Sequence, residues 1–414
     1  MNNLAILGGK PEIGYKLPDV YSNSGRNVGE EEKKELIEVI ESGSLGYLPG
    51  KKLKQFQNDW AEKFDVKTAV ATSSGTAALH TAMIFINVGP GDEVLVPAVT
   101  DMGTVIAILL QNATPVFVDV DLYTQNIDPS DLERKITEKT KAIMVVHLFG
   151  YPCDMDSIIK IAEKNNLLVV EDCAQAHLTK YKGKIVGTIG DVGCFSFQQT
   201  KHITTGDGGM VITNNNNIRG RELQLCADKG WPREKYRDHY FLAPNYHMTD
   251  LQAAVGIAQL RKLDSFIENR RKSALALSKA IKDIEGVVVP YDNDDNLHTY
   301  FAYSFTIDPK KFKIDNKKLA EAITAEGVKI FPSYLPKPLY LYDPLLKSKT
   351  YGNTKCPFNC INYSVEANYK EGICPVAEEA SMRGMFILWN EKISEDQGND
   401  MGNAIKKVLT YYKK

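Results

Sequence analysis

Between Asp92 and Asp172 the chain alternates strand-length apolar runs with helical patterns, and no other feature of the sequence restricts the fold as much. The series reads "DEVLVPAV", "TVIAILLQN", "TPVFVDV", "DPSDLERKI", "KAIMVVHLFG", "MDSIIKIAEKNN" and "LLVVED". Apolar strands separated by helices predict a largely parallel sheet covered by helices on both faces, an α/β fold. Ligands of such sheets sit beyond the carboxyl ends of the strands, so that is where chemistry is expected.

From Thr249 to about Lys282 the string "TDLQAAVGIAQLRKLDSFIENRRKSALALSKAIK" keeps helical periodicity and begins on a threonine cap. A helix of this length often joins two domains. The segments after it, "GVVVPY", "YFAYSFTI" and "NKKLAEAITAEG", mix strand and helix without the earlier alternation, which predicts a smaller α+β unit. A chain of 414 residues suits two domains, placed here at 1–255 and 256–414. The formal net charge of −2 offers no electrostatic footprint for nucleic acid. With no run of 18 apolar residues, a membrane span is not expected, and "MNNLAILGGKPEIGYK" does not read as a signal peptide. Seven cysteines, mostly in apolar strings such as "EDCAQ" and "GCFSF", are expected to be reduced, buried thiols of a cytoplasmic protein. Cys356, Cys360 and Cys374 lie near one another but lack paired knuckle spacing and an intervening histidine, so no metal site is expected.

Three features carry candidate chemistry. "ATSSGTAALHTAM" passes from small residues into a helix, so the amides near Gly75, Thr76 and Ala77 offer a phosphate site at a helix N-terminus; the simpler reading is a capped helix. "LLVVEDCAQAH" places Asp172 and Gln175 at a strand end, where a carboxylate can pair with a protonated pyridine nitrogen and an amide can bond a ring hydroxyl, or where the acid merely caps the next helix. "SFQQTKHITTGDGG" supplies Ser196 for a phosphate and Lys201 for an aldehyde, just before a glycine turn. A phosphate anchor, an acid for a ring nitrogen and a lysine for a Schiff base together describe pyridoxal phosphate.

"SSGTAAL", "EDCAQAH", "FSFQQTKHITTGDGG" and "NYHMTDLQAAVG" occur in the order and spacing of the sugar aminotransferases of the DegT/StrS type, which this chain resembles over nearly its whole length. The resemblance implies the aspartate aminotransferase-like fold type I, with a large, mostly parallel-sheet domain for pyridoxal 5'-phosphate and a smaller α+β C-terminal domain. By position, Lys201 resembles the lysine that holds the cofactor covalently, Asp172 the partner of the pyridine nitrogen and Gln175 the contact to the ring hydroxyl. Ser196, Gly75 and Thr76 look like phosphate ligands. Asn245 resembles the asparagine that reaches the phosphate from the neighbouring subunit, which implies a homodimer with shared sites.

The chain also departs from the family pattern. Asp101 stands where an aromatic residue commonly stacks on the cofactor ring, and Met102 is one candidate to replace it. Asp101 is therefore expected beside the cofactor or substrate, not as a simple helix cap. His247 stands where arginine is frequent, and Asp207 where glutamate is usual. "QQTK" and "CPVAEEA" are more like members acting on cyclitol ketones or related keto-sugars than like those acting on nucleotide-linked sugars. The implied reaction moves an amino group from glutamate or glutamine to a keto-sugar or cyclitol ketone. A sugar dehydratase on the same fold is the alternative, but its relatives carry histidine in place of Lys201; a non-catalytic regulatory homologue would not need the full residue set. "DKGWPREKYRDHY", Asp228 to Tyr240, is rich in groups that bind hydroxyls and phosphates, or is a polar surface loop.

Overall fold

The fold is given by a computed structural model, which describes residues 3–48, 50–234, 238–293, 295–359 and 367–414. Its main sheet has seven strands: β1 (Thr68–Thr72), β2 (Glu93–Pro97), β3 (Thr114–Val118), β4 (Thr140–Val146), β5 (Leu168–Asp172), β6 (Val192–Ser196) and β7 (Gly209–Thr213), in the order β1-β7-β6-β5-β4-β2-β3. β3, β2, β4, β5 and β6 run parallel. β7 is antiparallel to both of its neighbours. That exception has a physical reason: the link from Ser196 to Gly209 contains no helix, and without a crossover helix the chain turns back on itself.

Both faces of the sheet are covered. One apolar cluster gathers Val94, Val96, Met144, Val170 and Val211 with α3 (Gly75–Phe85) and α4 (Met102–Leu110). The other gathers Leu95, Ile143, Val145, Val169 and Ile212 with α2 (Lys51–Phe64) and the first half of a long helix. Neighbouring strand residues alternate between the two clusters, as the pleat requires. This two-sided burial is why the strands read as unbroken apolar runs.

The long helix, α5, spans Asp250–Ile281, and Thr249 caps it: its hydroxyl accepts from the Gln252 amide while the Gln252 side chain reaches back to Thr249 N, a reciprocal box. Such a cap is worth about 1 kcal/mol. Beyond α5, a three-stranded antiparallel sheet, β8 (Val287–Val288), β9 (Ala302–Ile307) and β10 (Gly384–Leu388), packs with α6 (Asn316–Ala325) and α7 (Glu395–Tyr412) around a third apolar cluster that includes Tyr303, Trp389 and Ile405.

Cys153, Cys173, Cys194, Cys226 and Cys374 are free and buried, whereas Cys356 is disulfide-bonded, contrary to the expectation that all the thiols are reduced. Cys360 lies outside the described residues. Among the described residues, one buried trio, His147, Glu171 and Cys173, has its donor atoms within reach of a common point. Two of the three are already engaged. The Glu171 carboxylate accepts from the Gly187, Ile189 and Gly190 amides and sits 2.9 Å from His147 Nε2, while His147 Nδ1 accepts from Cys153 N. No described helix is long and apolar enough to cross a membrane.

Candidate active site

Strand register brings the candidate residues to one edge. Thr72 at the end of β1 pairs with Gly209, and Gly209 pairs with Ser196 at the end of β6. The start of α3 and the start of the lysine loop, Phe197–Gly208, are thereby set side by side. Asp172 ends β5 and Asp101 follows β2, so all lie where a parallel sheet presents its ligand site. They surround a cavity of about 570 Å³, whose lining includes Gly75, Thr76, Asp101, Asp172, Gln175, Ser196 and Lys201. That volume suits a cofactor plus a small substrate.

At one end of the cavity α3 begins. Ser74 is its N-cap and its hydroxyl accepts from Ala77 N, so of the three amides expected to face a phosphate, Ala77 is already engaged. Gly75 and Thr76 remain in the first turn, where amides have no partner within the helix. Two glycines make the close approach possible. A Cβ on Gly75 would lie 2.6 Å from Ser196 Cβ, and one on Gly209 would lie 2.3 Å from the Ser74 carbonyl oxygen. The glycine turn after Lys201 therefore lets β7 close against the start of α3.

Deeper in the cavity, Asp172 is buried, and its carboxylate accepts from Thr104 Oγ1 at 2.8 Å and from Ala174 N at 3.0 Å. Burial pushes its pKa up, while those two hydrogen bonds and the charge of Lys201 oppose the rise. Burial likewise pushes the Lys201 amine down, against the pull of the Asp101 and Asp172 carboxylates. The amine lies 4.4 Å from the centre of the Phe301 ring. Gln175 lines the cavity, but its amide is already spanned between Phe149 N and the Tyr334 hydroxyl.

Asp101 combines the two roles that its position in the sequence suggested as alternatives. It lines the cavity, yet it also caps α4, accepting from Gly103 N at 2.8 Å. Met102 does not line the cavity; it packs against the core cluster. The cavity's aromatic residues are instead Tyr21, Phe301, Phe331, Tyr334 and Phe386. Asp207 lines the cavity as well.

Asn245 does not line the cavity of its own chain. It is exposed and paired with Asp228 in an isolated bridge. His247 stacks on Tyr47 with ring centres 3.8 Å apart and bonds Asp228, which also receives Lys229 and both ends of the Arg233 fork. Much of the charge in the Asp228–Tyr240 stretch is thus spent internally; residues 235–237 lie outside the described residues. His202, next to the lysine, points away into the protein. Its Nε2 donates to Thr299 O and its Nδ1 meets His177 Nδ1 at 3.2 Å. Burial pushes both imidazoles far down, which favours their neutral forms.

Sequence reasoning missed Thr104, Tyr21, Tyr334 and Phe301. Thr104 carried one faint signal, a polar residue in an otherwise apolar helix and four residues from Thr100, whose hydroxyl it meets at 2.8 Å. The others come from distant segments without any local pattern.

The expected cofactor, pyridoxal phosphate, fits these donors. A cradle closed by Gly75 and Ser196 at a helix start suits a phosphate, a buried carboxylate suits a ring nitrogen, and an amine of lowered pKa suits an aldehyde.

Comparison with known proteins agrees. Residues 26–368 match the model of the DegT/DnrJ/EryC1/StrS aminotransferase family. A GDP-perosamine synthase of Escherichia coli O157:H7 is 44% identical over 273 residues, 66% of this chain and 74% of that protein. A putative L-glutamine:3-amino-2,3-dideoxy-scyllo-inosose aminotransferase of Streptoalloteichus tenebrarius is 34% identical over 334 residues, 79% of each. Among solved structures, the aminotransferase from Psychrobacter cryohalolentis superposes with a TM-score of 0.82 at 30% identity, covering 94% of this chain and 98% of that one. The chain belongs to the DegT/DnrJ/EryC1/StrS aminotransferase family and is a pyridoxal-phosphate-dependent sugar aminotransferase of fold type I.

Proposed function

We propose that the protein takes an amino group from glutamate or glutamine and delivers it to the ketone of a keto-sugar or cyclitol, with Lys201 as the reacting amine. The observation that carries this reading is the placement of the Lys201 side chain in one cavity with buried Asp172 and the Gly75–Ser196 cradle. Pyridoxal phosphate, when bound, supplies an aldehyde that condenses with amines and a ring that takes up the electrons of a carbanion.

The chain's own groups do the rest. Ser196 and the Gly75 and Thr76 amides hold the phosphate, Asp172 partners the ring nitrogen, and Gln175 faces the ring. Lys201 Nζ takes the proton from the donor's α-carbon and passes it on to a different carbon, since its return to the same one would leave the amino group where it began; with its lowered pKa, more of the amine is neutral and able to accept that proton. Thr104 holds Asp172 in place and favours its charged form. Asp101 adds negative charge near the amine.

The reading includes a cytoplasmic homodimer in which Asn245 serves the neighbouring subunit's phosphate, and a division of the chain near residue 255. The exposed position of Asn245, outside its own cavity, supports the first of these. The 44% identity to GDP-perosamine synthase favours a keto-sugar acceptor over a cyclitol.

The test is a pair of half-reactions followed by the visible absorbance of the loaded enzyme. Glutamate or glutamine should bleach it, and a keto-sugar or cyclitol ketone should restore it. If neither donor bleaches it, the protein does not perform this transfer.

A further inference from the structure

Arg26 lies 175 residues from Lys201 in the chain and touches its backbone. It is 3% exposed, and its Nη1 donates to the Lys201 carbonyl at 2.8 Å. The second nitrogen, Nη2, reaches the His202 carbonyl at 3.5 Å. The same Nη1 also meets Glu391 at 3.4 Å, and Glu391 accepts in addition from Asn27 N and from Arg270 at 3.0 Å. Arg270 in turn donates to the carbonyls of Tyr300 and Trp389. Tyr300 precedes Phe301, whose ring lies beneath the lysine amine. One buried network thus joins the segment before α1 (Glu30–Ser42), the lysine loop and the residues that follow β10.

Packing alone does not account for this arginine. Its Nε is buried without a partner among the described residues, a cost that a plain apolar side chain would avoid. Glu391 would still be paired through Arg270 if Arg26 were absent. What Arg26 alone provides is a rigid fork on two consecutive carbonyls, one of them the lysine's own. The Lys201 amide is held from the other direction by the Gln198 carbonyl at 2.9 Å.

We infer that Arg26 is a positioning residue for Lys201: its guanidinium fixes the lysine's peptide from below, so that the amine reaches the cavity in one orientation. The inference rests on the reading of Lys201 as the reacting amine.

The test replaces Arg26 with methionine, which fills space without donors, and with lysine, which keeps the charge and reaches only one acceptor well. Three readouts apply. In the protein without cofactor, trinitrobenzenesulfonate labelling and peptide mapping give the pH midpoint of Lys201. In the loaded protein, the visible absorbance gives a second midpoint. Kinetics separate kcat from KM. Arg26→Met should shift both midpoints and lower kcat by about 10- to 100-fold, the scale of a small misplacement of a reacting group, with KM for the donor held within about twofold. Arg26→Lys should recover part of each. If Arg26→Met does not fold, Arg26→Lys decides alone by a partial shift. Folded variants with wild-type midpoints and kcat would overturn the inference. Separately, if borohydride fixes the cofactor of the wild-type enzyme to another lysine, the reading of Lys201 fails, and that result is distinct from any Arg26 outcome.

Discussion

Thr104 donates its hydroxyl proton to Asp172 at 2.8 Å from the first turn of α4, joining a helix on one side of the cavity to the strand-end acid on the other. That bond lowers the pKa of Asp172, which burial raises. Replacing Thr104 with valine removes the bond, so the carboxyl should protonate at a higher pH. The acid limb of kcat/KM should then move upward in pH while the alkaline limb stays in place. A pH profile superimposable on that of the wild type would show that the hydroxyl does not tune Asp172.

Gly75 should tolerate no side chain. Its backbone is open to alanine, but the added Cβ would lie 2.6 Å from Ser196 Cβ and 2.9 Å from Ser196 Oγ. Gly75→Ala should therefore cost about 1 to 3 kcal/mol of stability by overpacking, and should weaken cofactor binding at least about tenfold by parting the cradle. Adding Ser196→Gly should restore the stability but not the binding, because the hydroxyl is lost with the clash. Thermal unfolding and cofactor titration separate the two effects, and unchanged binding in Gly75→Ala would remove the cradle from the cofactor site.

Asp101 does two jobs that one substitution separates. Asparagine caps helices as well as aspartate does, so Asp101→Asn should leave α4 stable and remove only the charge. Asp101 raises the pKa of the Lys201 amine against burial. Without that charge the amine should titrate at a still lower pH, which cofactor-free labelling of Lys201 reads directly. An unmoved midpoint would leave Asp101 as a helix cap and nothing more.

Lys201→Ala should bind pyridoxal phosphate that borohydride no longer fixes to the protein, and should turn over roughly 100- to 10,000-fold more slowly. His202→Ala should keep the covalent attachment but lose about 1 to 3 kcal/mol of stability, since the Thr299 carbonyl it bonds is left buried and unpaired. Mixing Lys201→Ala chains with Asn245→Asp chains should regenerate activity, because one site of each mixed dimer then holds both native groups. Mixtures as inactive as their parents, despite proven subunit exchange, would count against Asn245 acting across an interface.

The parts of the site that were legible in the sequence are those built from contiguous chain. Lys201 before its glycine turn, Asp172 closing an apolar strand and Gly75 opening a helix each carry a local signature, and each lines the cavity. The long helix was equally plain, because the Thr249 cap and the apolar period of α5 agree. The antiparallel direction of β7 was not anticipated: "GMVIT" reads as a buried strand whichever way it runs. The least legible contacts were those of Arg26, Glu391 and Tyr334, which sit in the unremarkable strings "NSGRNVG", "LWNEKIS" and "FPSYLP". They acquire a role only when segments hundreds of residues apart meet. Asp101 shows a subtler limit: a strand-end acid beside a helix start suits capping and cavity lining equally, and here it does both.

The pairing of Arg26 with Glu391, 365 positions further along the chain, also sets a clock. A ribosome adding about 5 to 20 residues per second delivers Glu391 roughly 20 to 70 s after Arg26. The strands of the main sheet and the lysine loop are made within that interval, before the small sheet and the carboxylate that enclose the guanidinium. The carboxylate that completes the network around Arg26 is therefore added only when almost the whole polypeptide has been made, long after both residues of the Arg26–Lys201 bond.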